Sequence, residues 1–290
     1  MTGDAVAGSP ARLDVALVGR GLARSRSHAA ELVRAGAVRV DGTATDKPGQ
    51  RVTAQARLDV DADPWVSRAA HKLLAALEAW PIDPRGRVAL DVGASTGGFT
   101  QVLLKHGARR VIALDVGHDQ LAEPVASDAR VVGLEGVNAR YLSVDDLAPA
   151  SSYATAIDLV VTDVSFISQT LVLPAVAAVV GSRADYVVLI KPQFEVGRTG
   201  VREGIVVDAE GRERAIHAVL SAAAEAGLRC RDLLSSPLPG GAGNREFLAW
   251  FSPDAAAGPT EWSECIRDLA SGDEAGRARD RARAPRRSEP

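Results

Sequence analysis

The chain has 290 residues, 46% of them hydrophobic, and a formal net charge of -3. That length and balance fit a globular protein of one or two cored domains and exclude a fibrous or largely unstructured one. No uncharged apolar run approaches the roughly eighteen residues of a membrane span, and the amino terminus lacks a basic segment followed by an apolar one, so neither a span nor a signal peptide is expected. Cys230 and Cys265 are too few for a disulfide framework or a metal cluster, which points to a reducing cytoplasm and no metal.

Residues 1–10 are small and polar and read as disordered. Leu13, Leu17 and Val18 share one face of a short helix. A second helix spans 25–36, with Ser25 or Ser27 as its N-cap and Gly36 as its stop. Val38-Arg-Val-Asp-Gly-Thr alternates like a strand entering a turn at Asp41-Gly42, and residues 57–61 read as a last strand. Together these make a small α+β domain over 11–61. Between residues 11 and 60 nine Arg/Lys stand against five Asp/Glu, although the whole chain is acidic. Arg20, Arg24, Arg26, Arg34, Arg39 and Arg51 group on the helix pair and the neighbouring strands. The pattern Gly21-Leu-Ala-x-Ser-Arg, then Gly-x-Val-x-Val-Asp-Gly and Lys47-Pro-Gly, resembles the small RNA-binding domain named after a primary-binding protein of the small ribosomal subunit. The resemblance implies phosphate contacts and docking, without chemistry. Arg12, Arg20, Arg24, Arg26, Arg34 and Arg39, with Arg68 beyond the domain, are the RNA contacts it nominates.

Residues 62–66 form a linker stiffened by Pro64, with Trp65 as an apolar anchor. A helix over 67–80 buries Leu73, Leu77 and Trp80 and carries Lys72 at the edge of that stripe. Residues 88–92 are a short apolar run, fit for one buried strand of a parallel sheet, with Asp91 near its carboxyl end. Glycines at 93, 97 and 98 allow a tight turn into a helix over 99–107. A strand, a glycine-rich turn and a helix make a nucleotide-type pocket. The dinucleotide fingerprint Gly-x-Gly-x-x-Gly is not met; Asp91-Val-Gly-Ala-Ser-Thr-Gly-Gly puts an acid where a pyrophosphate would be repelled and an ammonium or sulfonium welcomed. S-adenosylmethionine (SAM) carries both. Further strands over 110–117, 130–138, 157–165 and 185–195 carry Asp115, Asn138, Asp163 and Lys191, and Asp115 stands where a ribose diol is held. Helices are expected over 168–180 and 208–227. Two late strands, 228–234 and 247–251, close the sheet as an antiparallel pair, and from 254 onward a flexible tail is expected.

In a parallel sheet the carboxyl ends of the strands meet at one edge, so Asp91, Asp115, Asp163 and Lys191 converge. A lysine emerging between apolar walls can serve as a general base, with Asp163 to orient it. Glu246, after the loop Gly240-Gly-Ala-Gly-Asn, can hold Lys72 or a ribose. Trp65-Val-Ser-Arg-x-x-x-Lys72, Asp91-Val-Gly-Ala-Ser-Thr-Gly-Gly-Phe-Thr, Asp158-Leu-Val-Val-Thr-Asp-Val-Ser-Phe-Ile-Ser, Lys191-Pro-Gln-Phe-Glu-Val-Gly and Gly243-Asn-x-Glu resemble the TlyA family over residues 11–252. Its members are rRNA 2′-O-methyltransferases related to FtsJ-type enzymes and often described as haemolysins.

The resemblance implies a Rossmann-like α/β methyltransferase over 67–253, with a seven-stranded, mostly parallel sheet. It implies a Lys72, Asp163, Lys191, Glu246 tetrad with Lys191 as base. SAM would be held by Asp91, Gly93, Ala94, Ser95, Gly98, Phe99, Asp115, Val116, Asn138 and Asp163. The implied substrate is a cytidine ribose of 16S and 23S rRNA at the subunit interface, and the implied partners are ribosomal RNA and subunits, met by a monomer. Asp61 and Asp63 depart from the pattern, since a basic residue is expected just before Trp65. Two rival readings are a membrane-acting cytolysin and a non-catalytic RNA-binding protein on a methyltransferase fold.

Overall fold

The computed structural model describes residues 10–23, 25–61, 63–154, 156–197, 200–255 and 262–272. They divide into two units, Met1–Pro64 and Trp65–Pro290. In the first, β1 (Ala11–Arg12) runs into α1 (Leu13–Gly19), and α2 (Arg26–Arg34) follows. Ser25, not Ser27, caps α2: its hydroxyl accepts from His28 N at 3.2 Å. β2 (Val38–Val40) turns through Asp41 and Gly42, both with positive φ, into β3 (Thr43–Ala44). Two left-handed residues in a row give a turn whose twist matches the strands. β4 (Arg51–Val52) pairs with β1, and β5 (Leu58–Val60) pairs with β2, both antiparallel. Leu13, Leu17, Ala29, Val33, Val38 and Val52 form this unit's own core.

The second unit opens with α3 (Ala70–Ala79), which starts three residues later than expected because Ser67 Oγ accepts from Ala69 N and turns the chain first. Then come β6 (Val88–Val92), α4 (Gly98–Lys105), β7 (Arg110–Leu114), α5 (Glu123–Ala126), β8 (Val131–Leu134), α6 (Ser151–Ala154), β9 (Ile157–Thr162), α7 (Gln169–Val180), β10 (Asp185–Ile190), α8 (Pro192–Glu195), α9 (Ala209–Glu225), β11 (Cys230–Ser235), β12 (Phe247–Phe251) and α10 (Ser263–Ser271). The seven strands form one sheet in the order β11-β12-β10-β9-β6-β7-β8. The five strands from β10 to the β8 edge are parallel, and β12 inserts antiparallel between β10 and β11.

Side chains alternate between the faces of a strand, so each face carries its own core. Val88, Leu90 and Val92 pack with α7 and α9 residues such as Val172 and Ile216. Ala89 lies on the other face, with α3 and α4 residues such as Leu73, Phe99 and Leu103; Trp65 packs against this second cluster. Among the described residues no helix is long and apolar enough to cross a membrane. One expectation fails at the carboxyl end. The flexible tail expected from 254 contains α10, whose Ile266, Leu269 and Ala270 recur on one helical face and are buried, the first two within the sheet's first core. Residues 1–9, 256–261 and 273–290, also read as disordered or flexible, lie outside the described residues.

Candidate active site

A cavity of about 1260 Å³ lies beyond the carboxyl ends of β6, β7 and β9. Gly93, Ser95, Asp115, Val116, Asn138 and Asp163 line it. The Asp115 carboxylate is fixed by two backbone donors: Ser95 N reaches Oδ2 and Gly117 N reaches Oδ1, each at 2.8 Å. An acceptor so held, with its remaining lone pairs toward the cavity, suits a vicinal diol. Gly93 has φ +84, and a Cβ there would lie 2.8 Å from Asp163 O. Only glycine lets the two strand ends approach this closely.

Four of the nominated cofactor residues do not line the cavity. Phe99 is a core residue, 2% exposed. Gly98 is pressed against Ser67, whose Oγ would lie 2.9 Å from a Cβ, and Ala94 is buried in the turn. Helical geometry explains this: the first turn of α4 faces α3 and the sheet, and it presents no side chain to the pocket. Asp91 shares the sheet face of Ala89 and is fully enclosed. Its Oδ2 accepts from Thr100 Oγ1 at 2.6 Å, while Oδ1 meets no partner. Burial, reinforced by the charges of Asp163 and Asp115 and opposed by the Thr100 hydroxyl, pushes its carboxyl up to about 7. The carboxylate of Asp115, clamped at the cavity rim, fits a cofactor with a ribose diol, as SAM has, whereas Asp91 lies enclosed behind the glycine turn.

The tetrad forms two ion pairs on neighbouring strand ends. Lys191, one residue beyond β10, places Nζ 2.6 Å from Asp163 Oδ1 and donates to Ser165 Oγ at 2.8 Å. Lys72 donates to Glu246 Oε2 at 2.5 Å, with both side chains almost wholly buried. The last ladder pair, Ile190↔Phe247, places Glu246 opposite Lys191, one step beyond the hydrogen-bonded register. Of the four residues only Asp163 lines the cavity; Lys191 reaches its wall through Asp163 and Ser165. The positive charge of Lys72 is met at close range by Glu246.

Several residues at the site went unnoticed in the sequence, although some lay inside quoted motifs. Ser165 accepts from Lys191. Phe166 is 92% exposed, adopts φ +64 and packs against Phe194 with ring centroids 5.3 Å apart. Left-handed backbone on a bulky residue is uncommon and marks strain held in place by its surroundings. Asn244, 1% exposed, accepts from Val206 N and donates to Gly204 O, tying the loop before Glu246 to the 204–206 turn.

The arginines of the first unit are not equivalent. Arg34 and Arg39 are exposed. Arg12 and Arg26 both contact the buried Asp14, at 3.0 and 3.4 Å. Arg20, itself exposed, donates to the Thr53, Ala54 and Ala56 carbonyls and so supports that loop. Arg51 likewise reaches the Pro10 carbonyl. Arg68 is exposed and belongs to the second unit. Arg24 lies outside the described residues.

A seven-stranded sheet of this order, with a glycine turn after β6 and acids at the strand ends, defines a Rossmann-like methyltransferase fold. The FtsJ-like methyltransferase family matches residues 65–253, and the S4 domain matches residues 11–58. The chain is 50% identical over 245 residues, 83% of its length and 89% of the relative's, to the 16S/23S rRNA (cytidine-2′-O)-methyltransferase TlyA of Mycobacterium tuberculosis. It is 37% identical to Hemolysin A of Brachyspira hyodysenteriae, covering 83% of this chain and 99% of that one. A solved structure from Streptococcus thermophilus, described as a hemolysin, shares 33% identity with a TM-score of 0.71, covering 94% of this chain and 99% of that one. The chain belongs to the FtsJ-like methyltransferases and, within them, to the TlyA family, with an S4 domain ahead of the methyltransferase domain.

Proposed function

We propose that this enzyme methylates the ribose 2′-hydroxyl of a cytidine in ribosomal RNA, of both the small and the large subunit, with Lys191 as general base. The observation that carries the reading is the Lys191–Asp163 pair at the wall of a cavity whose other acid, Asp115, suits the ribose diol of SAM. The name of the mycobacterial relative supports the substrate. Bound SAM supplies an electrophilic methyl on a sulfonium, whose departing electron pair stays on sulfur. Asp115 takes the ribose diol of the cofactor, Gly93 admits it past the strand ends, and Asn138 and Val116 flank it.

In its neutral form Lys191 Nζ accepts the 2′-hydroxyl proton as the new O–C bond forms, and the ammonium so produced is the one that Asp163 and Ser165 hold in place. Lys72 and Glu246 stand one strand further out, and their mutual neutralisation lets both be buried behind the cavity wall. Exposed Phe166, packed against the half-buried Phe194, offers a stacking face of the kind used for an unstacked RNA base. The S4 domain, through Arg12, Arg26, Arg34 and Arg39, supplies sequence-independent phosphate contacts. The enzyme works as a monomer in the cytoplasm.

The test is Lys191→Ala. Methyl incorporation into ribosomal particles should vanish, while the SAM Kd by calorimetry stays within about threefold. Mapping of 2′-O-methyl sites in both rRNAs with and without the enzyme identifies the nucleotides. Transfer that survives in Lys191→Ala refutes the base assignment, and haemolysis that survives it favours the cytolysin reading.

A further inference from the structure

The ladder between β9 and β10 ends at Val188↔Thr162, so the sheet itself does not hold Asp163 to Lys191. A buried amide spans the gap. Gln169, 1% exposed at the first turn of α7, donates from Nε2 to Thr162 Oγ1 at 2.7 Å and to Leu189 O at 3.0 Å. One contact falls immediately before Asp163, the other two residues before Lys191. The second half of the arrangement is Glu195, at the end of α8. Its Oε1 accepts from Gln169 N at 2.9 Å and its Oε2 from the Ser168 hydroxyl. Glu195 thereby ties the loop that follows Asp163 to the segment that follows Lys191. The carboxylate is deep enough that burial lifts it above its usual range, against the hydrogen bonds from Ser168 and Gln169.

This arrangement is costly for the fold. Gln169 Oε1 is buried without a partner, and an unmet buried acceptor destabilises the fold. A methionine of similar volume would fill the space without that acceptor. What the amide supplies and a methionine would not is the pair of donations to Thr162 and Leu189 across the end of the β9–β10 ladder.

We infer that Gln169 and Glu195 are positioning residues, a brace that sets the separation of Asp163 and Lys191 and so the aim of the base at the hydroxyl. The inference rests on the assignment of Lys191 as base. Neither residue lines the cavity, so neither need touch SAM or RNA.

The experiment compares Gln169→Met, Glu195→Ala and Glu195→Gln with the parent enzyme, full length, on ribosomal particles. Small misplacements of a catalytic group cost about ten- to a hundredfold in rate. We expect kcat to fall by about tenfold or more in Gln169→Met and Glu195→Ala, with KM for particles and the calorimetric SAM Kd within about twofold. Glu195→Gln, which can still accept from Gln169 N, should recover most of the rate. If Gln169→Met shows no cooperative melt, the Glu195 pair of variants carries the test alone. Unchanged kcat, a SAM affinity that falls in step with kcat, or Glu195→Gln as slow as Glu195→Ala each overturns the brace. Transfer retained in Lys191→Ala removes the base assignment instead, and the brace with it, so the two failures are told apart.

Discussion

Replacing Asp91 by asparagine should stabilise the protein at alkaline pH. The carboxyl sits at about 7 against an ordinary 3.8, a gap of about three pH units, each worth about 1.36 kcal/mol. Holding the charged form in its dry site thus costs the fold about 4 kcal/mol at full ionisation. Asparagine removes the charge and can still accept from Thr100 Oγ1. Its amide nitrogen then stands where Oδ1 had no partner, and an unmet donor costs about 1–3 kcal/mol. The net gain is about 2 kcal/mol, or a Tm increase of about 4–8 °C for a chain of this size.

The sign follows from an acid whose folded value is raised. The cost is absent below the unfolded value near 4, grows as pH rises toward 7 and is constant above it. Wild-type stability should fall across that window and the variant's should not. Calorimetric melts without cofactor at pH 8.5, 6 and 4 read this directly: Asp91→Asn ahead at 8.5, the lead shrinking at 6, and at 4 the order reversed by the unmet amide. A variant less stable than wild type at pH 8.5 refutes the reasoning, because it would mean that the carboxylate is well satisfied where it lies.

The buried Lys72–Glu246 pair gives a second prediction. Lys72→Met strands the Glu246 charge and should cost about 3–5 kcal/mol in urea melts, whereas Lys72→Met with Glu246→Leu should recover most of it. Gly93→Ala should abolish SAM binding in calorimetry, since its Cβ would collide with Asp163 O; Gly227→Ala, at φ +82 with open space around it, should cost only about 1 kcal/mol and leave binding intact. Removing residues 1–60 should leave SAM affinity unchanged while affinity for ribosomal particles drops and its dependence on salt flattens, as measured by sedimentation at two salt concentrations.

The strands, the glycine turn and the acids at the strand ends were legible in the sequence because each is a local matter. An apolar run of five residues, a glycine where φ must be positive and a polar residue after the run are set by neighbours in the chain. The same holds for the caps and the hairpin turn of the first unit, where Ser25, Asp41 and Gly42 act within a few residues. Placement across the chain was a different matter. The sequence left Glu246 to hold either Lys72, 174 residues away, or a ribose, and the insertion of β12 beside β10 decided for Lys72. Phe99 was nominated for the pocket and went to the core because helical phase, set by packing against α3, turned it inward. Arg20 was tied to three carbonyls of a distant loop, and α10 was stabilised by a sheet face it could bury against. Residue types and strand ends were therefore written in the chain itself, while the pairing of charges and the facing of side chains required the fold, since burial and partner geometry arise only between segments remote in sequence.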